Sequence, residues 1–80
     1  MNIKVLGPGC INCQTLEQRT VDALSELQVT ANVEKVTDIN KFADYNVFMT
    51  PALVINEKLK VSGRVPGKEE IKKWIQEELP

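Results

Sequence analysis

The longest uninterrupted apolar run in these 80 residues is four residues, Ala52-Leu53-Val54-Ile55, and a proline stands directly before it. Four residues fall far short of the ~20 that a membrane-crossing helix needs. They suffice for a strand. Because the run does not alternate, both faces of that strand must be covered, which makes it a central one. Pro51 cannot be an ordinary ladder residue inside a sheet. A cis Thr50–Pro51 bond in a tight turn is one way to accommodate it; an ordinary strand entry is the other.

The rest of the chain supplies short partners for that strand. Ile3-Lys4-Val5-Leu6 reads as strand one, and Gly7-Pro8-Gly9 breaks it sharply. From Ile11 to about Gln28 the spacing is helical, with Cys13, Leu16, Thr20, Ala23, Leu24 and Leu27 on one face. Ala31–Val36 reads as strand two. A short helix follows, capped by Thr37, with Ile39, Phe42 and Ala43 as its apolar contacts. Asp44-Tyr45-Asn46 reads as a loop, and Val47-Phe48-Met49 as the approach to Thr50-Pro51. After Ala52–Ile55, Asn56-Glu57 forms a turn into Lys58-Leu59-Lys60-Val61, whose alternation predicts a strand with one solvated face. Gly63–Gly67 is a second loop. A last helix starts near Lys68, with Gly67 as N-cap and Ile71, Trp74, Ile75 and Leu79 as its buried stripe. The resulting string is β-α-β-α-β-β-α. The first two strands are expected to be parallel across their helix, and the last two an antiparallel hairpin.

Length and charge bound what this string can do. Eighty residues, 42% hydrophobic and 26% charged, read as a single globular domain over residues 1–80. Such a chain buries roughly 60–65% of the surface its unfolded form exposes, so it builds one modest core. A net charge of −1 gives no electrostatic footprint for nucleic acid. No signal-peptide core opens the chain, and the expectation is a cytoplasmic protein without a membrane partner. A monomer is expected.

The chemistry rests on two cysteines. There is no histidine, which removes Ser-His and Cys-His catalytic pairs and His-based zinc sites. Cys10 and Cys13 stand as C-x-x-C where strand one meets the first helix. A disulfide closing so short a loop stabilises by only about 2 kcal/mol, against about 4–5 for one spanning the whole domain, so a staple there is badly placed. Residues three apart at a helix start face the same side, near disulfide reach. Unpartnered N–H groups and the helix dipole favour a thiolate at Cys10, the form that attacks disulfides. Access assigns roles: Cys10, at the tip, is the nucleophile, and Cys13, one turn in, resolves the mixed disulfide. Gly7 and Gly9 permit a tight backbone and leave room for a substrate.

Three other readings use the same residues. The cysteines could be two small buried residues without chemistry, or a vestigial dithiol in an interaction domain. They could also be a non-enzymatic soft-metal site or carrier for Cu(I) or Zn(II), as in ferredoxin-like metal chaperones, although those end in a strand and this chain ends in a helical segment.

Taken together, Gly7-Pro8-Gly9-Cys10-Ile11-Asn12-Cys13, Thr50-Pro51-Ala52-Leu53-Val54-Ile55 and Ser62-Gly63-Arg64-Val65-Pro66 resemble the small thioredoxin-like redox-active disulfide proteins of archaea and bacteria. The resemblance spans essentially the whole chain. It implies an α/β thioredoxin-like fold, with a four-stranded mixed sheet in the order 2-1-3-4 and helices on both faces. It implies a thioredoxin/glutaredoxin-like disulfide oxidoreductase with a redox-active centre, an electron-transport role and no cofactor or metal beyond the Cys10–Cys13 disulfide. By resemblance, Pro51 is the cis-proline facing the disulfide, Thr50 offers backbone hydrogen bonds to a bound peptide or thiol, and Gly63 keeps the docking groove open. Gly9, Ile11 and Asn12 complete the docking surface, and Arg64 could pair with a carboxylate of glutathione. The implied partners are a disulfide-containing protein or a low-molecular-weight thiol, and an upstream reductase. The chain departs from thioredoxins, which carry Trp-Cys-Gly-Pro-Cys, and from glutaredoxins, which carry a tyrosine between the cysteines. It also lacks an obvious acidic residue beneath the dithiol.

Overall fold

The computed structural model describes residues 1–80. Strand β1 (Asn2–Leu6) leads into helix α1 (Ile11–Leu27), strand β2 (Asn32–Val36) and the one-turn helix α2 (Ile39–Phe42). A 3-10 turn over Ala43–Tyr45 follows, then strands β3 (Ala52–Ile55) and β4 (Lys58–Ser62), and helix α3 (Lys68–Glu77). The sheet order is β2-β1-β3-β4, with β1 and β2 parallel and the other two pairs antiparallel. This is the mixed sheet and strand order expected. No helix is long and apolar enough to cross a membrane.

Side-chain alternation divides the core into two layers. Ile3, Val5, Leu53 and Ile55 pack with Leu16, Ala23 and Leu24 of α1 and with Ile71 and Ile75 of α3. Leu6, Ala52 and Val54 pack on the opposite side with Val36, Phe42 and Val47. Every residue of β3 is at most 1% exposed, as a run apolar on both faces requires.

Several local expectations are corrected. Asp38, not Thr37, caps α2: its side chain accepts from the Asn40 N–H at 2.9 Å, and Thr37 stands one residue too early to reach it. Ile39 and Ala43 are exposed, leaving Phe42 as that helix's one buried apolar contact. The Asp44-Tyr45-Asn46 loop is instead partly a 3-10 turn, closed by Asn46 in the left-handed region at φ 60°. In β4 the clean alternation fails, because a register shift between Leu53 and Val54 leaves Lys60 unpaired in the ladder. Leu59 is consequently 39% exposed, while the Lys60 side chain is largely covered and bonds Glu78 at 2.9 Å. Helix α3 ends before Leu79, which is exposed, and Trp74 is only half-buried.

The Asn56-Glu57 turn holds, with both residues at positive φ (51° and 68°), the conformation of a two-residue hairpin loop. The Asn2 N–H donates to Asn56 Oδ1 and the Asn56 N–H to the Asn2 carbonyl, which fastens this turn to β1.

Candidate dithiol site

The parallel β1–β2 ladder reaches one residue past β1, where the Gly7 N–H donates to the Val36 carbonyl at 3.0 Å. The chain then turns. Gly9 sits at φ +95°, where an L side chain is strained, and nothing lies within 4 Å of where its Cβ would be. Its backbone conformation, not crowding, requires glycine. Gln14 holds the turn by donating from Nε2 to the Gly9 carbonyl at 3.2 Å.

Cys10 is the N-cap of α1, in extended conformation (φ −70°, ψ 170°). Its Sγ accepts a hydrogen bond from the Cys13 N–H at 3.3 Å. Sulfur thus takes the place that a serine or aspartate oxygen usually has at a helix start. The two Sγ atoms lie 2.6 Å apart, both cysteines being free. Cys10 is exposed and Cys13 only 6% exposed. Their acidities diverge accordingly. Hydrogen bonds from the Cys13 thiol and from the Cys13 N–H stabilise the Cys10 thiolate and lower its pKa. Burial raises that of Cys13, and its hydrogen bond to Cys10 raises it further.

The segment before β3 closes the site on its second side. The Thr50–Pro51 peptide bond is cis. A Cβ added at Gly7 would overlap Cys13 Sγ and lie 3.8 Å from Thr50 Cβ, so Thr50 and Cys13 flank the same α-carbon. No loop or turn hydrogen bond involves the main chain of Thr50. The Gly63 N–H donates to the Pro51 carbonyl at 2.9 Å and ties the end of β4 to this segment. Gly63 has φ +86°, and Met49 covers it, with side-chain atoms 3.2 Å from where a Cβ would stand.

Ile11 and Asn12 are exposed beside Cys10. Of the Val47-Phe48-Met49 run, Val47 is core, whereas Phe48 (82%) and Met49 (64%) stand out into solvent. On the β2 side of the dithiol, a cleft of about 260 Å³ is lined by Val5, Gly7, Gly9, Cys13, Gln14, Lys35 and Thr37. Arg64 is not free: its guanidinium holds the Glu70 carboxylate through two nitrogens, at 3.0 and 3.4 Å.

This geometry can be set beside known proteins. Residues 1–76 match the family model described as "Thioredoxin domain". The chain belongs to the thioredoxin-domain family. It is 40% identical over 75 residues to a thioredoxin of Methanothermobacter thermautotrophicus, covering 94% of this chain and 97% of that one. It is 34% identical over 77 residues to a thioredoxin of Methanocaldococcus jannaschii, covering 96% and 88% respectively. These relationships support a thioredoxin-like redox function.

Within this thioredoxin-domain chain the sequence-predicted positions separate into two groups. Cys13 and Thr50 meet at Gly7, Thr50 leads through the cis bond into Pro51, and Gly63 bonds the Pro51 carbonyl. Arg64 is diverted to α3. Two contributors, Gln14 and Met49, were not expected from the sequence, and a third, Gly7, was expected for a different reason. Gln14 lies on the expected wet face of α1, yet it braces Gly9. Met49 packs on Gly63, 14 residues away in the chain. Gly7, expected to permit a tight turn and leave room for a substrate, is instead packed against the Cys13 sulfur. Only Gln14 had a local signal, its spacing of one residue past the second cysteine.

Proposed function

We propose that this protein, acting as a single-domain monomer in the cytoplasm, is a thiol–disulfide oxidoreductase that cycles between a Cys10/Cys13 dithiol and an intramolecular disulfide. The observation that carries this reading is Cys10 Sγ at the helix start, accepting the Cys13 N–H with Cys13 Sγ beside it. The Cys10 thiolate attacks one sulfur of a target disulfide, forming a mixed disulfide and releasing the first target thiolate. Cys13 loses its proton and attacks Cys10 Sγ. The Cys10–Cys13 bond forms, the second target thiolate leaves, and two electrons have passed from protein to target. An upstream reductase restores the dithiol.

The target is a protein disulfide. Ile11 is exposed next to Cys10 in the chain, Phe48 and Met49 are exposed just before Thr50, and the unused main-chain groups of Thr50 are available to an extended segment laid beside Pro51. Glutathione, with two carboxylates, is a poorer fit, because Arg64 is already engaged by Glu70.

The test is a redox titration of metal-free protein in buffers of graded dithiol potential, read by rapid alkylation and mass spectrometry. A reversible intramolecular disulfide with a midpoint between about −180 and −300 mV is expected. A pair that never bonds, or that instead holds Cu(I) or Zn(II) tightly as thiols, overturns the reading in favour of metal handling.

A further inference from the structure

The two glycines that precede Cys10 are glycine for different reasons. Gly9 has a positive φ and open space around it. Gly7 has no such backbone requirement, and its N–H sits in an ordinary ladder bond to Val36. A Cβ at Gly7 would instead overlap Cys13 Sγ, and would come within 3.3 Å of Cys13 Cβ. Gly7 is itself buried, so the added methyl could not swing into solvent. The side chain of Cys13 turns about a single bond, so the only ready relief is rotation of its sulfur away from Gly7. That rotation also carries it away from Cys10.

We infer that Gly7 is a positioning residue for the resolving step: its bare α-carbon is the seat that holds Cys13 Sγ against Cys10 Sγ. This rests on the proposed roles of Cys10 as attacking and Cys13 as resolving thiol. The attack on a target disulfide uses the Cys10 sulfur and the Cys13 N–H that bonds it, whereas Gly7 meets the side chain of Cys13. The resolving attack requires Cys13 Sγ within bonding range of Cys10 Sγ, and a displacement of about 1 Å in a reacting atom can slow a step by up to about a hundredfold. Gly7→Ala therefore separates the two steps. It also acts on the redox equilibrium. Once bonded to Cys10, the Cys13 sulfur has no rotamer to retreat to, so the extra methyl disfavours the disulfide more than the dithiol. The variant's midpoint moves toward easier reduction.

The experiment uses DTNB, a chromogenic aromatic disulfide, in stopped flow with wild type, Cys13→Ser and Gly7→Ala. Each thiolate released is seen directly: the first reports attack by Cys10, the second resolution by Cys13. Wild type is expected to release two and Cys13→Ser one. Gly7→Ala is expected to slow the first release modestly, through the weakened Cys13 thiol hydrogen bond to Cys10, and the second roughly tenfold to a hundredfold more than the first. Two thiolates from Cys13→Ser would overturn the proposed roles themselves. One from Cys13→Ser but an unslowed second release from Gly7→Ala would overturn the role of Gly7 alone.

Should Gly7→Ala be too unstable for kinetics, Gly7→Ala/Cys13→Ala is compared with Cys13→Ala. Without Cys13 Sγ the methyl is expected to be tolerated. An equal loss of thermal stability with and without the sulfur would show that the backbone, not the thiol, demands glycine.

Discussion

The two faces of the sheet are covered unequally. One carries α1 and α3, of 17 and 10 residues, over ten buried side chains. The other carries a four-residue helix and a three-residue 3-10 turn over six. On the thicker face the helices are tied to each other: Arg19 Nη1 donates to the Pro66 carbonyl at 2.8 Å, and Glu26 pairs with Lys68 and Lys72. On the thinner face Ile39 (74% exposed) and Phe48 (82%) are left in solvent, flanking a cleft of about 310 Å³ that runs to Thr50. A small domain has little apolar surface to spare. Here the thicker face uses it for folding, while the thinner one leaves some of it accessible up to Thr50.

The sharpest separation of chemistry from packing is Cys10→Ser. It should lower disulfide-reductase turnover by at least about a thousandfold, because the attacking thiolate is gone. Its exposed position predicts a nearly unchanged melting temperature, measured on the same sample. Next, the faces themselves can be set against each other by urea unfolding. Leu16→Ala, fully buried under α1, should cost about 3–4 kcal/mol, and Phe48→Ala no more than about 0.5 kcal/mol. Comparable losses at the two positions would refute the division of labour.

A third expectation concerns acidity. Cys10 should react with iodoacetamide at least about tenfold faster than Cys13 at pH 7, since its thiolate is the favoured one. The rate–pH profile of Cys10 should have its midpoint below the ordinary cysteine range. The stability linkages oppose each other. The Cys10 contribution is present above that range and fades as pH falls through its lowered folded midpoint; the Cys13 contribution is present below that range and is lost as pH rises toward its raised one. Equal alkylation rates would remove the basis for assigning the two roles.

Fourth, Phe48→Ser should lower kcat/KM for a protein disulfide by about fivefold, about 1 kcal/mol of docking, while leaving the DTNB rate unchanged. A matching drop with DTNB would mean that Phe48 acts on the dithiol and not on the partner. The smallest effect is expected from Arg64→Ala. With both partners about half exposed, the Arg64–Glu70 pair is a surface tie. Neither the melting temperature nor turnover of glutathione disulfide should change measurably.

The element string, the parallel crossover and the location of the dithiol were legible because each depends on local pattern: β-branched runs, helical spacing, and a glycine-proline break before a C-x-x-C; the strand order came only from the family resemblance. The features that escaped depend on contacts between distant segments. The shift that strands Lys60 outside the ladder is set by its partner β3 and by Glu78, 18 residues on. Met49 over Gly63 and Cys13 over Gly7 likewise join separate elements. The misplaced cap of α2 is different: Thr37 and Asp38 are both good capping residues in adjacent positions, so the pattern alone could not choose between them.

The strand order has one more consequence, for how copies of this protein meet. β2 and β4 are the outer strands and offer unpaired main-chain groups to any passing chain. β2 sets Glu34 and Lys35 along its margin, and β4 sets Lys58 and the bulged Lys60 along the other. A second copy adding its own strand would have to strip water from Glu34, Lys35 and Lys58 and follow a ladder that is broken at Lys60. The same irregularity that defeats clean alternation in β4 therefore works against sheet-to-sheet growth.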